Sequence, residues 1–107
     1  LGQFCARFGG VLRVEKAGLY AFALQADDFA LVWIDGQQRS DSRRKNERAF
    51  EVELAPGDHA IRIDFFQGSG NAILNLQWTP PGTTEVRDIP PEALWYVPAQ
   101  RARYEEP

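Results

Sequence analysis

Residues 26–36 read ADDFALVWIDG, with two adjacent carboxylates between apolar segments and a turn dipeptide at the end. Residues 29–34 are apolar on both faces of an extended chain, which is typical of a central strand that is covered on both sides. Asp35 and Gly36 follow directly, and this pair readily takes the positive φ angles of a tight type I′ turn. The stretch therefore predicts a buried strand that enters a β-hairpin.

The same alternation continues along the chain and predicts an all-β protein. Apolar residues recur with period two, and turns recur roughly every ten residues, which is the pattern of an antiparallel two-sheet β-sandwich, jelly-roll or barrel-like in outline. Residues 37–48 are polar and mostly charged without this period, so we expect a long surface loop after the central hairpin. The predicted strands are 7–14, 19–26, 29–34, 49–54, 59–66 and 72–79.

The length of 107 residues allows one domain with one core. We assign residues 1–98 to a single β-sandwich domain and residues 99–107, rich in charge, to a tail or linker. The chain starts with Leu1 and runs at once into apolar sequence. We therefore expect a piece of a longer polypeptide, in which the first strands are either absent or supplied by sequence ahead of Leu1.

The charge of the chain excludes some classes of partner. A net charge of −3 and a pI near 5.1 give no broad basic field, so nucleic acid and anionic membranes are not expected partners. No apolar run in the sequence is long enough for a transmembrane segment. One basic cluster is either a solvated loop or a docking surface. It comprises Arg39, Arg43, Arg44, Lys45 and Arg48.

Catalytic and zinc chemistry have little support in the sequence. His59 is the only histidine and Cys5 the only cysteine, which excludes a zinc site of the usual spacing and an internal disulfide. Cys5 is either a buried thiol or a site of intermolecular pairing or lipid attachment. His59 follows a turn, where we expect a half-exposed strand residue and not a general base. We therefore do not expect an enzyme.

Asp27 and Asp28 admit two interpretations. Adjacent carboxylates repel each other, and one tends to take up a proton unless water, backbone N–H groups or a cation neutralises them. Calcium takes several hard oxygen ligands and tolerates irregular geometry. Alternatively, the pair forms a solvated turn in which each side chain bonds its own backbone. The residues alone leave both interpretations open.

The order of segments resembles one known family. Four segments carry the resemblance, and their order and spacing agree with the family from Phe8 to Pro81. The segments are 10–14 with 17–22, 26–28 with 31–36, 54–63, and 65–78. In these segments the chain resembles the protective-antigen fourteen-kilodalton domain family, a β-sandwich module of bacterial toxins, glycosidases and fungal adhesins.

The resemblance implies a site. In sugar-binding adhesins of this family, paired aspartates hold a calcium ion that coordinates the hydroxyls of a terminal sugar, with help from an Asn of a later loop. Carried over by motif, Asp27 and Asp28 match the pair, and Asn71 is the candidate for the third metal ligand. Phe29 or Phe66 either stacks on the sugar ring or is a plain core or rim residue.

Two functions follow from the resemblance. The first is a non-catalytic carbohydrate-binding module with calcium as cofactor, located outside the cell, at the cell surface or in the periplasm as part of a larger protein. The second is a structural or protein-interaction domain that keeps the fold and binds no sugar. In that case the 43–48 loop and Trp95 with Tyr96 would dock onto a neighbouring protein subunit, because Arg and aromatic residues are favoured at interfaces.

Overall fold

The protein is an antiparallel β-sandwich in a computed structural model that describes residues 4–67, 73–96 and 100–101. This confirms the predicted all-β class. Short 3-10 turns occur at Lys45–Glu47 and Pro91–Ala93. The strands are β1 (Phe4–Val14), β2 (Gly18–Asp27), β3 (Phe29–Ile34), β4 (Gln37–Asp41), β5 (Ala49–Leu54), β6 (Gly57–Gln67), β7 (Ile73–Thr79), β8 (Arg87–Asp88), β9 (Leu94–Tyr96) and β10 (Gln100–Arg101).

Two sheets form the layers, and the chain passes back and forth between them. The six-stranded sheet has the order β10-β1-β6-β3-β4, with β9 also pairing with β1. The four-stranded sheet has the order β5-β2-β7-β8. The longest pairing joins β1 to β6, from Phe4 opposite Gln67 to Val14 opposite Gly57. Strands distant in sequence are therefore neighbours in both sheets.

One hydrophobic core fills the space between the sheets. In the strands that the period of two predicts, the alternate apolar residues face inward, because successive side chains point to opposite faces. The six-stranded sheet contributes Leu12, Val14, Ala30, Val32, Ile34, Ile61, Ile63 and Phe65, and the four-stranded sheet contributes Tyr20, Phe22, Leu24, Val52, Leu54 and Trp78.

The central hairpin forms as predicted. Asp35 has φ of 54° and Gly36 has φ of 80°, the positive values that the Asp-Gly pair adopts at low cost. The inward residues of β3 are fully buried, whereas its outward residues, among them Trp33, are half-buried. Among the residues that the structure describes, the outer side of β3 is therefore covered by side chains and not by a further layer of chain.

The prediction of one long loop at 37–48 is wrong for its first part. Residues Gln37–Asp41 form strand β4, which pairs with β3, and Ser40 and Ser42 are buried. The Ser42 hydroxyl accepts a hydrogen bond from the Ala30 N–H at 2.9 Å, and the Ser40 hydroxyl donates to the Glu47 carbonyl at 2.6 Å. Backbone pairing and satisfied hydroxyls hold this strand without apolar side chains, which explains why the pattern missed it.

The ends of the domain differ from the sequence expectation in detail. Strand β1 begins at Phe4, three residues before the predicted start. The predicted boundary at residue 98 lies outside the described residues. Beyond it, Gln100–Arg101 pairs with β1 at Ala6 and Arg7, so this part of the expected tail belongs to the six-stranded sheet. In the part of the chain that the structure describes, no helix is long and apolar enough to span a membrane.

Candidate functional site

Asp27 and Asp28 lie where the chain crosses from one sheet to the other. Asp27 is the last residue of β2 and pairs with Ile73 in the four-stranded sheet. Phe29 is the first residue of β3 and pairs with Phe66 in the six-stranded sheet. The backbone N–H of Asp28 donates to the Phe66 carbonyl at 3.0 Å. The pair therefore lies at one end of the sandwich, anchored to both layers.

The connection between β6 and β7 also crosses from one sheet to the other, and it begins and ends beside the two aspartates. Strand β6 ends at Gln67, next to the Phe66 that binds Asp28, and β7 begins at Ile73, opposite Asp27. The intervening residues 68–72 include Asn71, which lies outside the described residues. Its role as third ligand stays a prediction from the motif. The described ends of the segment nevertheless flank both aspartates.

The two carboxylates interact with each other. Both residues are exposed, and the peptide bond between them is cis. A hydrogen bond between the side chains raises the pKa of Asp27, with smaller contributions from burial and from the charge of Asp28. The arrangement gathers acidic oxygens at one point of the surface.

Two carboxylates fit part of a calcium shell. Calcium prefers carboxylate, carbonyl and water oxygens and takes six to eight of them. Among the described residues no group of three or more His, Cys, Asp or Glu side chains could hold a metal ion. Asp27 and Asp28 would therefore supply two side-chain ligands, and the others would have to come from carbonyl groups, water and residues 68–72.

The ring of Phe29 contacts other side chains of the protein. Its ring stacks on that of Phe66, with centroids 4.4 Å apart and planes 9° apart. The guanidinium carbon of Arg43 lies 4.4 Å from the centroid of the Phe29 ring. Phe66 itself is buried. These contacts match the rim or core role of the two rings, and stacking on a sugar stays a prediction.

Asp41 and Arg43 border the site, and the sequence did not single out Asp41. Arg43 donates to both Asp41 carboxylate oxygens, from Nε at 2.9 Å and from Nη2 at 2.7 Å. This hydrogen bonding, supported by the Arg43 backbone N–H and by nearby positive charge, lowers the pKa of Asp41 against the opposing effect of burial. The hydrophobic period does not identify Asp41, because β4 has no apolar residue. The only sequence feature that points to this position is the basic cluster around it.

Two other arginines of the basic cluster contact residues of the same loop. Arg48 donates to the Ser42 carbonyl from Nε at 2.6 Å, and Arg44 lies 3.8 Å from a carboxylate oxygen of Glu47. Because these arginines contact different parts of the loop, the cluster does not form one continuous cationic surface.

His59 lies at the other end of β3 from the aspartate pair. Its Nδ1 is 2.6 Å from an Asp35 carboxylate oxygen, and its Nε2 is 2.7 Å from the Ala55 carbonyl. The ring therefore ties the β3–β4 turn to the β5–β6 turn, which is a structural use of the imidazole.

Comparisons with known proteins agree with this architecture. Residues 1–91 match the PA14 domain family, the protective-antigen family that the sequence resembles. An anti-sigma factor domain-containing protein from Clostridium clariflavum has a similar structure, with a TM-score of 0.74 and 23% identity over 85% of this chain. The PA14 domain of the antifreeze protein MpAFP aligns with a TM-score of 0.61 and 20% identity over 84% of this chain. No curated protein sequence matches the chain.

The two structural neighbours are larger than this chain, which covers 32% of the first and 50% of the second. At these identities they show the fold. PA14 domains are carbohydrate-binding or protein-interaction domains of larger proteins. The match extends over most of the sandwich and includes the paired aspartates at its crossover. The chain belongs to the PA14 domain family.

Proposed function

We propose that this domain is a non-catalytic carbohydrate-binding module that uses Asp27, Asp28 and Asn71 to hold calcium. The observation that carries the proposal is the position of two adjacent, exposed and interacting carboxylates at the crossover, between the described ends of the segment that contains Asn71. Membership of the PA14 family supports it, because that family includes carbohydrate-binding domains.

The residues at this end have separate roles in the proposal. Asp27 and Asp28 balance the charge of the ion, and Asn71 adds a neutral oxygen ligand. Bound calcium would keep coordination positions open for two hydroxyls of a vicinal diol, since it accepts six to eight oxygen ligands in flexible geometry. Arg43 and Phe29 border the pair and would limit which sugars approach it.

The proposal also includes a location. A calcium site of this kind fills readily where the ion is abundant, so we place the domain outside the cell, at the cell surface or in the periplasm. The larger size of the structural neighbours supports a domain within a longer protein.

Thermal melting tests the metal site. An ion that binds only the folded state stabilises it by about 2.7 kcal/mol when its free concentration is 100 times Kd. We expect the melting temperature to rise with added CaCl2 relative to EDTA, by about 10 °C or more at such an excess. Asp27→Asn and Asn71→Ala should each remove most of this rise.

Glu51→Gln provides the matched control, because Glu51 is an exposed carboxylate on β5. This variant should keep the full calcium shift. A glycan array probed with and without calcium then tests sugar recognition, and binding should disappear in EDTA and in Asp27→Asn. A wild-type melting temperature that calcium leaves unchanged would overturn the metal site. Calcium binding without any calcium-dependent glycan signal would overturn the sugar function alone.

A further inference from the structure

The outer face of the six-stranded sheet has an unusual composition. The outward positions of β1, β6 and β3 form rows across the sheet, in which Arg7 is opposite Asp64 and Arg62 is opposite Trp33. On neighbouring β9, Trp95 is opposite Val11 and is 43% exposed. Cationic and aromatic side chains thus alternate on a surface that the rest of the described chain does not cover.

Arginines stack on aromatic rings across this face. The guanidinium carbon of Arg62 lies 4.0 Å from the Trp33 ring centroid, and that of Arg13 lies 4.8 Å from the Trp95 ring centroid. At the aspartate end, Arg43 covers Phe29 in the same way. Such pairs hold the guanidinium in place through the charge distribution of the ring and through dispersion.

Aspartates accept hydrogen bonds from the arginines of this face. Asp64 receives Nε and Nη2 of both Arg7 and Arg62, at distances of 2.9 to 3.2 Å. Asp58 receives Nε and Nη2 of Arg13, at 2.9 and 3.4 Å. The Asp64 side chain is only 4% exposed, whereas the Arg62 side chain is 41% exposed. This part of the face therefore exposes the arginine side chain far more than the carboxylate that binds it.

The contacts leave one edge of each guanidinium available. Arg13 and Arg62 bind their carboxylates through Nε and Nη2, and among the described residues no acceptor contacts Nη1 of either. A guanidinium that is already oriented loses little rotational freedom when it binds a second carboxylate. The two arginines are thus preorganised donors.

A recess lies beside Arg62 and provides an anchor point. It has a volume of about 250 Å³ and is lined by Trp33, Gly36, Ala60, Ile61 and Arg62. Tightly bound protein partners usually insert a few side chains into such pockets, near Trp and Arg residues. A carboxylate side chain that entered this recess would meet Arg62.

The outer face of the four-stranded sheet has the opposite character. Its outward positions include Glu51 opposite Ala21 and Glu53 opposite Leu19, and both glutamates are exposed. Exposed glutamates thus lie on the outer face of the four-stranded sheet, whereas on the six-stranded sheet Arg7, Arg13 and Arg62 outnumber their partners Asp58 and Asp64. This surplus of arginine makes the six-stranded face complementary to an acidic surface.

We propose that the outer face of the six-stranded sheet docks an acidic polypeptide segment of another protein or domain, with Arg13 and Arg62 as its carboxylate-binding residues. A protein partner fits better than a sugar, because guanidiniums already lie over the Trp33 and Trp95 rings that a sugar would need for stacking. This function is separate from the proposed calcium site and uses neither Asp27 nor Asp28.

Titration of the 15N-labelled protein with poly-L-glutamate tests the proposal. We expect the indole N–H signals of Trp33 and Trp95 to shift, and that of the buried Trp78 to stay in place. Arg13→Gln and Arg62→Gln should each weaken binding about tenfold, the loss expected for one charge-assisted hydrogen-bonded contact. Raising the salt from about 0.05 to 0.5 M should weaken binding further, because surface charges are then screened.

Arg87→Gln is the matched control, since Arg87 is an exposed arginine on β8 of the other sheet. This variant should bind poly-L-glutamate as the wild type does. Absence of binding, or binding that Arg13→Gln and Arg62→Gln leave unchanged, would overturn the proposal. Dextran sulfate serves as a sugar polyanion; if it binds through Arg13 and Arg62 while poly-L-glutamate does not, the polypeptide assignment is wrong. Each outcome is independent of calcium.

Discussion

His59 shows how one side chain links two turns. Its Nδ1 contacts the Asp35 carboxylate and its Nε2 contacts the Ala55 carbonyl. Both partners only accept hydrogen bonds, so the ring satisfies both contacts when both nitrogens carry a proton. Burial lowers the pKa of His59, but the hydrogen bonds to Ala55 and Asp35, together with the charges of Asp35 and Asp58, outweigh it and raise the pKa.

This shift predicts a pH-dependent stability. Because the pKa of His59 is higher in the folded than in the unfolded chain, its stabilisation is fully present below the unfolded value of about 6.5 and is lost as the pH rises through the folded value. We expect the free energy of unfolding, measured in urea, to fall across that window. Asp35→Asn should reduce the slope, because the charged partner of the imidazolium is gone.

The Asp35→Asn variant is suited to this test for two reasons. Asn tolerates the φ of 54° at this turn, and its side-chain oxygen can still accept the hydrogen bond from Ala60 N–H that Asp35 accepts at 3.1 Å. The Asp58 carboxylate has its pKa lowered by Arg13 and therefore titrates at acidic pH, outside the window. An unchanged slope in Asp35→Asn would show that this contact does not set the pKa of His59.

At the scale of the element, strand β2 separates a core face from a solvent face. Phe22 is 2% exposed and contacts the rings of Phe50 and Trp78, whereas Leu19 is 47% exposed. We expect Phe22→Ala to lower the free energy of unfolding by about 3–5 kcal/mol, through lost burial and the cavity it leaves. Leu19→Ala should change it by about 0.5 kcal/mol or less. Urea denaturation compares the two, and equal losses would mean that the strand faces are misassigned.

The start of β2 depends on a close approach between two chain segments. A Cβ placed on Gly18 would lie 2.8 Å from Cγ and 2.9 Å from Cβ of Pro81, and Gly18 has φ of 151°. The ring of Pro81 is rigid, so Gly18→Ala should cost about 1–3 kcal/mol. Gly36→Asn is the control, because Asn tolerates the turn φ of 80° and nothing lies within 4 Å of a Cβ there. A neutral Gly18→Ala would contradict the close packing.

For the whole molecule, the shared core predicts cooperative unfolding. Side chains from both sheets form one cluster, in which Ile63 of the six-stranded sheet and Trp78 of the four-stranded sheet are members. Neither sheet keeps a buried face when the other unfolds, and a domain of this size usually unfolds in one step. Far-UV circular dichroism and Trp fluorescence should therefore give the same urea midpoint. Separate midpoints would show that the two sheets unfold independently.

Much of the architecture could be predicted from local pattern. Alternation and turn chemistry are properties of short segments, so residues 26–36 predicted β3 and its turn, and the order of such segments identified the family. Strand β4 could not be found in this way, because its residues are polar and its order comes from pairing with β3 and from buried hydroxyls.

The sequence by itself determined strands β1 to β3 and β5 to β7, their inward faces, the hairpin turn and the candidate aspartates. Only the tertiary structure decided which strands are neighbours and which side chains meet across them. Arg7 and Asp64 are far apart in the chain, and Asp64 is buried on an outward face that the period of two marks as wet. Local alternation sets the direction of a side chain, whereas its partners depend on sheet order and on how the chain crosses between the layers.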